Sequence, residues 1–113
     1  MLLEAIKEKL EEVDPKVCYG IADNDIEIWN YIVFGRTRLK TSTNRTGRGE
    51  RFDVHIVREN FIPEGLDEQI IAKVCEIDGV RETGDDGEYT YTRKPNTNTV
   101  VEVLTLHFVR ARK

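Results

Sequence analysis

The chain reads as an α+β domain, a mostly antiparallel sheet with two helices packed on it. Three observations predict this class. Residues 29–35 (Trp-Asn-Tyr-Ile-Val-Phe-Gly) and 51–58 (Arg-Phe-Asp-Val-His-Ile-Val-Arg) are rich in aromatic and β-branched residues, the second in strict alternation. Apolar residues recur at helical spacing in two separate stretches, near the N-terminus and after Pro63. Strands follow strands locally, without the alternating βα units that a parallel sheet requires.

At 113 residues the chain has the size of one domain, residues 1–113, with enough apolar content (39%) for a single core. Leu2, Leu3, Ile6, Leu10 and Val13 form one apolar stripe, so residues 2–13 are expected as a one-faced helix that Asp14-Pro15 stops. Val17 to Ile21 reads as a short strand, and 22–25 as a turn.

The strongest strand signal begins at Trp29 and opens a long hairpin that closes at Asn60. Trp29, Tyr31 and Val33 lie on one face and Ile32 and Phe34 on the other, so this end is expected to be covered on both sides. Trp29 is expected in the core or at an interface. Beyond Gly35 the strand turns polar, and residues 41–49 carry glycine, asparagine and threonine with nothing to bury. The hairpin is therefore expected to protrude as a two-stranded arm over about 36–51.

Leu66, Ile70, Val74 and Ile77 predict a second helix over 66–78, with Asp67 and Glu68 in the first turn, where the helix dipole favours acid, and Gly79 at its end. Residues 89–94 and 100–110 are expected as a second hairpin across Pro95-Asn96-Thr97-Asn98. The latter strand is apolar on both faces and should be central.

The net charge of −4 argues against a general nucleic-acid binder. Its distribution is uneven. Arg36, Arg38, Lys40, Arg45, Arg48 and Arg51 meet only Glu50 within 36–51, while Asp85, Asp86 and Glu88 crowd a loop beside Glu82. Such separated charges can steer copies together head to tail, the arm supplying an interface or DNA-channel surface and the loop its complementary acidic patch.

Little else suggests chemistry. His55 and His107 fall on strands as half-buried packing residues rather than bases, Asp85 to Glu88 lacks calcium-loop spacing, and Gly47-Arg48-Gly49 lacks the strand-to-helix setting of a phosphate loop. Cys18 and Cys75 show no metal-ligand spacing and are expected reduced and buried. No catalytic residue, cofactor or metal is expected. The first helix shows no signal-peptide pattern, no run is long enough to span a membrane, and the Asn44-Arg45-Thr46 glycosylation pattern is read as chance.

The Trp29 to Gly35 opening, the long hairpin closing through 51–57, the Pro63-led helix and the last strand running into Arg110-Ala111-Arg112-Lys113 resemble the small tail-completion, or tail-terminator, proteins of long-tailed bacteriophages and prophages. The resemblance covers most of the chain as an arrangement. It implies a non-enzymatic α+β virion subunit at the tail-head junction that closes into a ring, commonly a hexamer. It further implies contacts with the tail-tube protein and a head-completion or connector protein, and DNA passing through the ring. In such proteins long hairpins engage neighbours or line the channel, the place that 41–50 occupies here. The alternative is a small nucleic-acid-binding module using the basic hairpin 36–51.

Overall fold

The computed structural model describes residues 1–41 and 48–112, with side chains at 1–37 and 49–110. The elements run α1 (Leu2–Glu11), β1 (Val17–Tyr19), β2 (Tyr31–Thr41), β3 (Arg48–Glu59), α2 (Leu66–Val74), β4 (Val80–Glu82), β5 (Glu88–Arg93) and β6 (Val100–Arg112). Six strands form one sheet in the order β1-β2-β3-β6-β4, and β5 lies beside β4 along the same edge of β6. Every pairing is antiparallel except β1 with β2. The α+β class holds. β6 is central, as its two apolar faces require, and pairs with β3, β4 and β5.

Alternation along β3 decides which side meets the helices. Phe52, Val54 and Ile56 point to the face covered by α1 and α2, where they join Ile32, Phe34, Leu104, Leu106 and Phe108. Leu2, Ile6 and Leu10 of α1 and Ile70 and Val74 of α2 complete this core. Phe52 and Phe108 stack with ring centroids 5.4 Å apart and planes 14° from parallel.

Among the described residues the opposite face is covered only near the start of β2. There the segment between β1 and β2 lays Ala22, Ile26 and Trp29 on Tyr31, Val57 and Val101. The two-sided cover expected for the hairpin root is thus found. The strand itself begins two residues late, because Trp29 and Asn30 are drawn into contacts with Glu59. Trp29 N–H donates to Glu59 Oε2 (2.7 Å), and the Asn30 side chain accepts from Glu59 N–H (3.0 Å). Trp29 is half-buried in this second, smaller cluster.

Three other expectations need correction. The arm is not two-stranded: β6 pairs with β3 over its whole length, from Glu59↔Val101 to Arg48↔Arg112. A third strand is possible because Val109 to Arg112 continues the extended backbone past the last core residue, Phe108. Second, Cys18 is buried but Cys75 is exposed, because it follows the last helical residue of α2 at the rim rather than under it. Third, α2 stops at Val74, and residues to Ile77 continue as tight turns before Gly79, whose φ of 82° is one that side chains disfavour.

A buried ion pair fixes the exit from α1. Asp14 reaches Arg58 on β3 with side chains 4% and 14% exposed, and accepts from Lys16 N–H at 2.9 Å. Arg58 also donates to the carbonyls of Val57 (2.8 Å) and Tyr31 (3.3 Å), so the guanidinium clamps β2, β3 and the lead into β1 together. The whole measures 52 × 27 × 24 Å.

Candidate functional site: the polar sheet face and the base of the arm

The uncovered part of the second face is polar because the alternation that buries Phe52, Val54 and Ile56 delivers Arg51, Asp53 and His55 to the other side. β6 contributes Thr105, His107 and Val109 in register, with Asp53 opposite His107 and His55 opposite Thr105. Both pairs are hydrogen-bonded. His107 Nδ1 lies 2.8 Å from Asp53 Oδ1, and His55 Nδ1 lies 2.9 Å from Thr105 Oγ1. Burial lowers the pKa of His55, Asp53 opposes that shift, and His107 adds to it. The net shift favours the neutral imidazole, and the ring is half-buried, as expected, beside the Thr105 hydroxyl.

Beside these pairs a shallow groove of ≈ 460 Å³ is lined by Thr37, Arg51, Asp53, Thr83, Asp85, His107 and Phe108. It lies where β2 carries an irregularity between Arg36 and Arg38. That irregularity changes the side-chain phase. Arg36 is opposite Phe52 and so belongs to the helix-covered face, and past the irregularity the pairing resumes with Arg38 opposite Arg51.

The expected basic residues divide accordingly. Arg36 is exposed at the end of the core, and Arg51 is half-exposed on the polar face. Arg38 and Lys40 lie on β2 opposite Arg51 and Gly49, and Arg48 lies on β3 opposite Thr41 and Arg112. Arg45 lies outside the described residues. Of the acidic patch, Asp85, Asp86 and Glu88 are all exposed around the turn between β4 and β5. Arg51 Nη1 stands 3.6 Å from Asp85 Oδ2, so one basic and one acidic member meet within the same chain, in a solvated pair of small energetic weight.

Sequence reasoning missed Thr37, Thr83, Asp53 and the tyrosines of the sheet edges. Asp53 was legible only as an alternating polar residue, because its cross-strand partner depends on register. Tyr19, Tyr89 and Tyr91 are 48%, 53% and 64% exposed, and all six residues of β5 are exposed. Phe61 (69%) and Val100 (45%) add apolar surface beside them. Among the described residues no three His, Cys, Asp or Glu side chains gather as metal ligands. No helix among them is long and apolar enough to cross a membrane.

No protein-family model matches this chain, and no curated protein matches it either. Among solved structures, a chain described as "Virion of native gene transfer agent (GTA) particle" is similar over 97% of this chain and 93% of its own, at 13% sequence identity and a TM-score of 0.49.

Proposed function

We propose that the chain is a structural subunit of a phage or prophage particle, a tail-terminator or tail-completion protein that joins copies of itself into a ring, commonly a hexamer in this class, at the junction of tail tube and head. Its work is assembly rather than catalysis. Its partners are further copies, the tail-tube protein and a head-completion protein, with DNA passing through the lumen.

The observation that carries this reading is the arm. β2, β3 and β6 continue in register beyond the core residues Phe34, Phe52 and Phe108, out to Thr41, Arg48 and Arg112. Core burial therefore does not account for this length. Three paired strands hold it out as a stiff element, and its sequence supplies basic residues for an acidic neighbour or for phosphate. The arrangement of helices and hairpins is also the one that resembles the tail-completion class.

Electron microscopy of the protein mixed with phage tail tubes tests the reading. Rings capping the tubes are expected, and Arg45→Glu with Arg48→Glu should abolish capping while leaving the fold intact. Unchanged capping by that variant would make the arm tip ordinary solvated surface. A monomer that binds DNA with steep salt dependence and ignores tubes would replace the assembly reading with a nucleic-acid module.

A further inference from the structure

We infer that copies of this chain join edge to edge, the β5 edge of one sheet adding to the β1 edge of the next, with Arg36 of β2 set against the acidic β4–β5 corner. The inference rests on the self-association in the proposed function and assigns the surfaces that meet.

β5 is an edge strand with half its backbone groups unused. Lys94 N–H donates to Thr99 O (2.9 Å), and alternation along an antiparallel ladder then points Thr92, Thr90 and Glu88 at β6. Tyr89, Tyr91 and Arg93 present their N–H and C=O outward, and among the described residues no strand pairs with them.

The far edge of the sheet has a matching row. Ile32 N–H donates to Lys16 O (3.0 Å) and Gly20 N–H to Phe34 O (2.8 Å), so Lys16, Cys18 and Gly20 face β2 while Val17 and Tyr19 point away from it. Ile21 N–H takes the Tyr19 carbonyl at 2.9 Å. The N–H and C=O of Val17 and the N–H of Tyr19 have no backbone partner among the described residues.

Polarity and height agree. β1 runs with β2, and three antiparallel steps lead from β2 through β3 and β6 to β5, so β1 and β5 are mutually antiparallel. Register also sets them level. Val17, Ile32, Ile56, Leu104 and Tyr89 form one continuous row across the sheet. A copy displaced sideways by one sheet width, without inversion, brings Val17 opposite Tyr89, both with outward-facing backbone groups and both with side chains on the helix-covered face. Exposed Tyr19 and Tyr89 then adjoin, an aromatic contact typical of interfaces.

Charge matches on a second row. Arg36, Phe52, Phe108 and Glu82 are in register, so Arg36 at one side of the sheet is level with Glu82 at the other. The same sideways step brings Arg36 to the corner carrying Glu82, Asp85 and Asp86, all exposed. The contact uses different surfaces on the two copies, so its repetition adds subunits in one direction and makes a ring where the rotation between neighbours closes. Pairing like with like would instead set Arg36 beside Arg36 or the acidic corner beside itself.

Two experiments test this. Protein carrying Val17→Cys is mixed with protein carrying Tyr89→Cys, both in a Cys75→Ser background, under mild oxidation. A hydrogen-bonded antiparallel pair holds Cα atoms about 5.5 Å apart, within disulfide reach. A mixed disulfide dimer is expected, with Val17→Cys plus Thr92→Cys giving little. In parallel, Tyr89→Pro removes an outward N–H and no bond within the subunit, so it should melt like wild type but associate about tenfold more weakly or worse in sedimentation. Tyr89→Thr, which keeps the N–H, separates the backbone contribution from the side chain. Rings that form without the cross-link and withstand Tyr89→Pro would overturn the edge contact while leaving the assembly reading intact. Absence of both cross-link and oligomer, in solution and on tubes, would overturn both.

Discussion

Replacing Asp14 by alanine is expected to destabilise the fold by about 3 kcal/mol, because it strands a buried charge. The Asp14 carboxylate is 4% exposed and its partner Arg58 14%, so little water reaches the guanidinium to take the place of the carboxylate. The Lys16 N–H loses its acceptor in the same step. Arg58 keeps the Val57 and Tyr31 carbonyls, which places the cost at the lower end of the usual 3–5 kcal/mol for breaking a buried pair. For a chain of 113 residues that loss lowers the melting temperature by on the order of 10 °C. Urea unfolding should show a lower midpoint at unchanged slope. Removing both partners, as Asp14→Leu with Arg58→Met, should recover much of the loss, since no uncompensated charge remains. An Asp14→Ala protein within about 0.5 kcal/mol of wild type, the range of an ordinary surface change, would refute the clamp. A double variant as unstable as the single one would show that the damage is steric rather than electrostatic.

Phe52→Ala removes a fully buried ring stacked on Phe108, and a loss of about 3–5 kcal/mol by chemical denaturation is expected. Trp29→Ala should cost less, about 1–2 kcal/mol, because the indole is only half-buried and its backbone bond to Glu59 survives. A variant that melts like wild type yet fails to associate would move Trp29 to an interface. His55 has its pKa lowered by burial, so the unfolded chain binds a proton more readily than the folded one, and stability should fall as pH drops below the ordinary histidine value. His55→Gln should flatten that part of the curve in a series of melts from pH 7 to pH 5.

Periodicity made the layers legible. Leu2, Ile6 and Leu10 announced α1, and the alternation of Phe52, Val54 and Ile56 assigned the two faces of β3 before any contact was known. What escaped was set by relations between distant segments. Nothing local in Val109 to Arg112 distinguishes a basic tail from a third strand of the arm, since its partner lies some sixty residues earlier. Trp29 carries strong strand propensity, yet it is pulled out of the ladder by an acceptor on Glu59. Of the candidate site, the charges were readable by composition. The Asp53–His107 and Arg51–Asp85 pairs were not, because each joins side chains that only register and the β4–β5 turn bring together.

The central position of β6 has a consequence for biosynthesis. β3, β4 and β5 all wait on it, so a nascent chain that has reached the end of β5 holds no completed sheet beyond β1, β2 and β3. During that interval one edge of the twelve-residue β3 stands open, with the N–H and C=O of every second residue unpaired. Emerging after the other five strands described, β6 thus joins β4 and β5 to the β1-β2-β3 sheet, and with it come the third strand of the arm and the second edge.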